Sequence, residues 1–356
     1  MKRLYVVRPA IAVSAGLIFS AGSHAQSSVS LYGIVDSGLI YLNKTSGNSG
    51  KLVGFNDSGN LPSLFGMTGS EDLGGGLSAE FKLESGIDTA NGGYNNSNGN
   101  LFGRNAWVGM KGGFGEVRAG LQQSPYFMSL IAQDPRHLSN FGSSILILAN
   151  AAGATSIFNP NAISYTSPKL AGFQGSAMYA LGGVAGNFQS GRQYSASLSY
   201  TWSGLAINAA YYNGNPGGNV STTPPTTVGF DGKLIGATYT IGSLTVKGSY
   251  EKIKVGGGAN NDVYGGGADY MLRPNIDLNT GVWYVDNRSV SASHSLLGAI
   301  GAYYFVSKRT SVYAQFGMVN NHGAQDLGLS ISQGPTTLHA TTGTTTGASV
   351  GISHTF

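Results

Sequence analysis

Gly351-Ile352-Ser353-His354-Thr355-Phe356 reads as an alternating strand that stops on an aromatic residue. The segment from Ser28 to Tyr41 has the same character. Val29, Leu31, Val35, Leu39 and Tyr41 share one face, and Tyr32 and Asp36 share the other. Period-two alternation with a carboxylate on one face predicts lipid outside and water inside. Between these two segments no apolar run is long enough to cross a bilayer as a helix, which takes about 20 residues. In lipid every backbone polar group needs a partner, and only helices and closed barrels provide one. With the helix option absent, the pattern predicts an all-β, 16-stranded antiparallel transmembrane barrel.

The rest of the chain is read outward from those two strands. Lys2, Arg3 and Arg8, an apolar stretch from Ala10 to Ser20, and Ser23-His24-Ala25 predict a secretory signal peptide over residues 1–25. Residues 26–356 then form a single barrel domain. Losing the three basic residues takes the formal net charge from +4 to +1, so the basic character suggests no nucleic-acid partner. There are no cysteines, which excludes disulfides, thiol enzymes and thiolate metal sites. Charged residues make up only 10% of the chain, against about 25% in soluble domains. The Gly content is 56 residues, and this composition suits a barrel with lipid outside and uncharged polar groups inside.

Hairpins follow one another along the chain. Leu64 to Gly74 and Leu77 to Ile87 flank a Gly-rich turn, as do Leu101 to Lys111 and Gly115 to Leu121. Later pairs flank Ser203-Gly204, Gly242-Ser243, Arg273-Pro274-Asn275 and Ser307-Lys308-Arg309. Short turns alternate with long loops, among them 43–61, 88–100, 214–231 and 320–346. That asymmetry is expected of an outer-membrane barrel with periplasmic turns and long outer loops. Residues 122–158 read as a long irregular stretch.

Several segments resemble the general porins of Gram-negative bacteria, in the β-proteobacterial form found in Burkholderia and Neisseria. They are Ser28-Val-Ser-Leu-Tyr-Gly-Ile-Val-Asp36, Gly69-Ser-Glu-Asp-Leu-Gly-Gly-Gly-Leu77, Phe81-Lys-Leu-Glu-Ser-Gly86, Leu101-Phe-Gly-Arg-Asn-Ala-Trp-Val-Gly109 and Ala162-Ile-Ser-Tyr-Thr-Ser-Pro168, with the terminal Phe356. Their joint order, rather than any one segment, carries the resemblance. It implies a homotrimer of barrels in outer-membrane lipid, each narrowed by an in-folded third loop. It implies passage of ions and small hydrophilic solutes, and no cofactor. It also implies that Phe356 is part of the signal read by the barrel-insertion machinery.

In the family, basic residues on the wall face acids on the third loop. This chain departs from that pattern. Leu64, Thr68, Leu121 and Phe158 stand where the family has basic residues. Arg104 stands where the family has Arg, and Arg118 is basic where a neutral residue is expected. Between Glu116 and Asp231 the sole acid is Asp134, with Arg136 two residues on. The loop also carries Ile145-Leu-Ile-Leu148 and Ala149-Asn-Ala-Ala152. The pore-lining candidates are therefore Arg104, Arg118, Asp134, Arg136, Leu64, Leu121 and Phe158, around a weakly charged constriction with an apolar wall. The alternative is that the apolar run packs on the inner wall and never meets the permeant.

Enzyme readings find little support. The histidines past the signal fall mostly in loops, with no Ser or Asp partner in recognisable context, and a lone loop His is usually solvated. The Gly-rich runs lack the strand-loop-helix setting and the Lys of a phosphate cradle. Other readings are a surface-adhesion barrel whose long loops do the work, and a substrate-specific channel.

Overall fold

A computed structural model describes residues 28–48, 50–218 and 228–356. The signal-peptide expectation lies outside these residues. The strands run β1 (Ser28–Leu42), β2 (Leu52–Asp57), β3 (Leu64–Gly74), β4 (Leu77–Gly86), β5 (Asn105–Gly112), β6 (Gly115–Gln123), β7 (Phe158–Thr166), β8 (Phe173–Ala180) and β9 (Gln193–Trp202). They continue as β10 (Leu205–Gly214), β11 (Phe230–Ile241), β12 (Leu244–Val255), β13 (Asn260–Arg273), β14 (Ile276–Asn287), β15 (His294–Phe305), β16 (Thr310–His322) and β17 (Gly343–Thr355). Every pairing is antiparallel, and β1 pairs with β17 from Ile34↔Thr355 to Leu42↔Gly347. That seam closes the barrel.

The wall has sixteen positions although there are seventeen strands. On its second edge β1 pairs with β3 along Ser28–Ile34 and with β2 along Ser37–Leu42. β2 and β3 thus share one wall position, broken at residues 58–63. The expected loop 43–61 therefore contains a strand that extends the wall outward. The break is held by Asp36. Its carboxylate accepts from the backbone N–H of Asn60 and Leu61 at 3.2 and 3.3 Å and from the Tyr313 hydroxyl at 2.7 Å.

Alternation appears directly in exposure. On β14, Leu278, Val282 and Tyr284 face out while Asp277, Asn279, Trp283 and Val285 are buried inside. The expected faces of β1 hold too: Val29 and Leu31 are more than 60% exposed, and Asp36 is fully buried. Apolar exposure of this extent on a regular wall is what lipid covers.

The stretch 122–158 is not irregular. It contains α1 (Pro125–Gln133) and α2 (Ser144–Ala152). Ser124 caps α1, accepting from the Phe127 N–H at 3.1 Å, with Pro125 in the first turn. Ser followed by Pro is a helix-start signature that the sequence carries. Gly153 ends α2 with φ 59°, a conformation that suits glycine at a helix C-terminus.

Candidate functional site: the lumen and its third loop

The loop joining β6 to β7 crosses the bore. Helix α1 packs on the inner wall from β8 to β12. The Tyr126 N–H donates to Ser195 Oγ at 3.0 Å, and its hydroxyl donates to the buried Glu251 carboxylate. Burial and the Glu251 charge raise the Tyr126 pKa well above its ordinary value, so the hydroxyl stays a donor. Lys247 donates to the carbonyls of Ala132 and Asp134, both at 3.0 Å. Beyond α1, Arg136 donates to Asn279 Oδ1 at 2.9 Å, to the Phe141 carbonyl at 3.1 Å and to Gln315 Oε1 at 2.6 Å. Farther on, Asn140 donates to the carbonyls of Asn60 and Ser58 at 2.7 and 2.8 Å. The loop thus touches β12, β14, β16 and the β2–β3 break.

The inner wall has small residues where the loop comes close. A Cβ at Gly236 would lie 2.7 Å from the Gln133 side chain, and one at Gly301 would lie 3.1 Å from Arg136 Nη1. Part of the high glycine content therefore seats the loop.

The pore-lining candidates separate into two groups. Arg104 and Phe158 line a cavity of about 430 Å³ on the outer-loop side. Arg104 donates to Glu84 Oε1 at 2.9 Å, and Lys82 reaches the same carboxylate at 3.0 Å. Arg118 faces inward in a polar cavity of about 190 Å³ and is neutralised by two bonds to Glu116, at 2.6 and 3.0 Å. It also lies 4.2 Å from the Trp107 ring centre. Leu64 is buried opposite Gly86, and Leu121 sits at a bulge, half-buried against the core.

Asp134 and Arg136 correct the expectation. Neither side chain meets lumen water, since Asp134 is 2% exposed and Arg136 fully buried. Nor do their side chains pair with each other. Asp134 accepts from the N–H groups of Arg136 and Leu138 at 2.7 and 3.1 Å, and from the N–H and hydroxyl of Ser144 at 2.8 and 2.6 Å. Ser143, at the usual capping position of α2, makes no side-chain cap, so the Asp134 carboxylate, ten residues before Ser144, does that work. An Asp134→Ala protein is expected to lose about 1–2 kcal/mol of loop stability. Faster amide exchange at Ser144, with wall amides unchanged, checks this; unchanged exchange there counts against the assignment.

His137 departs from the expectation for a loop histidine. Its Nε2 lies 2.7 Å from Asp269 Oδ2 and 3.9 Å from Asp277 Oδ2. The bond to Asp269 raises the His137 pKa above its ordinary value against the opposing effect of burial. His339 likewise has an acid partner, Asp326 at 2.8 Å. Asp269 lies far away in sequence and Asp326 thirteen residues before His339 in the same loop, so no short motif announces either partner.

Two cavities meet at the loop. The outer one is walled by Ile131, Ile145, Ala149 and Ile157 of the loop and by Ile331 and Leu338. A second, of about 340 Å³, opens toward the short turns and is lined by Asp269, Asp277, Lys308 and Arg309. Leu61 and His137 line both. A barrel whose bore is partitioned by an in-folded third loop is the architecture of a porin.

The comparisons agree. The Gram-negative porin family pattern matches residues 10–324. The chain belongs to the Gram-negative porin family. It is 30% identical to outer membrane porin protein 32 of Delftia acidovorans over 96% of this chain and 97% of that one. It is 31% identical to the major outer membrane protein P.IB of Neisseria gonorrhoeae over 67% and 65% of the two chains. The anion-selective porin from Comamonas acidovorans superposes with a TM-score of 0.80 at 28% identity, over 93% of this chain and all of that one. The porin is therefore an outer-membrane channel of a Gram-negative bacterium.

Proposed function

We propose that this porin is a passive diffusion channel of weak ion selectivity, favouring weakly charged and amphiphilic small solutes. One observation carries the reading: Ile131, Ile145, Ala149 and Ile157 of the third loop line the outer cavity, with Leu146, Ile147 and Leu148 packed into the core away from it, while the loop's own charges, Asp134 and Arg136, are buried. A pore selects by width, lining charge and hydrogen-bonding groups. Arg118 is matched by Glu116, and Arg104 and Lys82 share the single Glu84 carboxylate, so these three cations leave one net positive charge on the lining. The positions of Leu64, Leu121 and Phe158 supply no cation. The Comamonas relative is named anion-selective; the proposed reading sets this chain apart from it.

The channel is assigned no reaction and no energy source. It works as a homotrimer in outer-membrane lipid, and the barrel-insertion machinery recognises Phe356. Reversal potentials across a tenfold salt gradient test the selectivity. The expected value lies near zero, and a value close to the chloride equilibrium potential overturns the reading. Ohmic single-channel steps also separate it from an adhesion barrel, which stays silent.

A further inference from the structure

We propose that His137, Asp269 and Asp277 bind one zinc-class divalent transition-metal ion at the boundary between the two lumenal cavities, fastening the third loop to the wall. One ligand atom from each residue lies within 4.8 Å of the others. Asp269 and Asp277 belong to adjacent strands and point inward, where β13 pairs with β14 at Asp269↔Asn279 and Met271↔Asp277. The third ligand comes from the loop.

A second observation points to a ligand. Asp277 is only 5% exposed, yet its Oδ1 has no hydrogen-bonding partner. Buried carboxylate oxygens ordinarily find a donor. The neighbouring cations do not supply one. Arg136 donates to Asn279, Phe141 and Gln315, and Lys247 donates to Ala132 and Asp134. Among the described residues no Lys or Arg lies within ion-pair distance of either Asp269 or Asp277, and the single charged-pair partner of both is His137. Two carboxylates and one imidazole therefore share one place, with His137 their sole ion-pair partner among the described residues.

The ligand set selects the ion. One imidazole nitrogen and two carboxylate oxygens, with water in the fourth position, form a tetrahedral zinc-type set. Calcium takes six to eight oxygens and is poorly served here. Tetrahedral bonds of about 2.0–2.1 Å place ligand atoms about 3.3 Å apart. The distances from His137 Nε2, 2.7 and 3.9 Å, bracket that value, so small side-chain shifts admit the ion. The His137 side chain is 52% exposed, which leaves a route from lumen water.

Zinc chloride alone, titrated into the purified full-length porin in detergent, tests the site. The expected result is one zinc per chain, with affinity reduced on the order of tenfold or more in His137→Ala and in Asp277→Asn. His294 and His322, stacked 4.3 Å apart on neighbouring strands, are the competing pair; a His294→Ala/His322→Ala protein is expected to keep the site. His137 lies in the loop, so its substitution spares the wall even where Asp277→Asn fails to assemble. Zinc is also expected to alter the single-channel conductance of the native protein and not of His137→Ala. Unchanged zinc affinity in His137→Ala, no zinc bound by the native protein, or calcium bound equally tightly overturns the proposal.

Discussion

An Arg136→Ala channel is expected to open wider and more noisily than the native one. The guanidinium is fully buried and donates to three acceptors, two of them on the wall strands that flank β15, Asn279 on β14 and Gln315 on β16. Hydrogen bonds to a charged group contribute about 1.5–3 kcal/mol each. Losing the two wall bonds therefore costs the docked loop roughly 3 kcal/mol or more, before counting the unsatisfied amides left behind. Since 1.4 kcal/mol is a factor of ten in an equilibrium constant, the undocked population rises about a hundredfold. The barrel itself should persist, because its ladder does not run through the loop. Single-channel recording checks this: larger mean steps and added open-channel noise are expected, with barrel melting little changed. A conductance distribution like that of the native protein would show that other contacts alone hold the loop.

The second large effect concerns the seam. Phe356 exchanges two backbone bonds with Gly33, Phe356 N–H to the Gly33 carbonyl at 3.1 Å and Gly33 N–H to the Phe356 carbonyl at 3.2 Å. Its ring lies across Gly33, where a Cβ would come 2.3 Å from the ring edge. Deleting Phe356 leaves the last rung of the β1–β17 seam unmade, and unpaired backbone groups in lipid cost several kcal/mol each. Outer-membrane yield should fall steeply. Phe356→Ala separates the two roles, since it keeps the rung and removes the ring. If the ring is the assembly signal, this protein fails to assemble in cells yet refolds from denaturant in detergent. Assembly of Phe356→Ala at the native level in cells would refute the signal role.

Other parts of the molecule were partly legible. The Ser124-Pro125 pair and Gly153 mark helix ends in the third loop, although the surrounding residues read as irregular. Leu52–Asp57 was hidden because it continues a wall position already counted. The distinction between lining and anchoring charges was not legible. Asp134 and Arg136 look like a constriction pair by spacing, and they are instead a helix cap and a wall anchor.

The amino-acid sequence by itself determined the barrel, its hairpin order and its family. Alternation is local: every second side chain reports lipid or water, whatever lies elsewhere in the chain. Only the tertiary structure decided what fills the bore. Arg136 meets Gln315 across 179 residues and Tyr126 meets Glu251 across 125. Such contacts exist only once the sheet has closed and brought distant strands to face one another, so no local pattern can encode which charge meets water and which is buried beneath the loop.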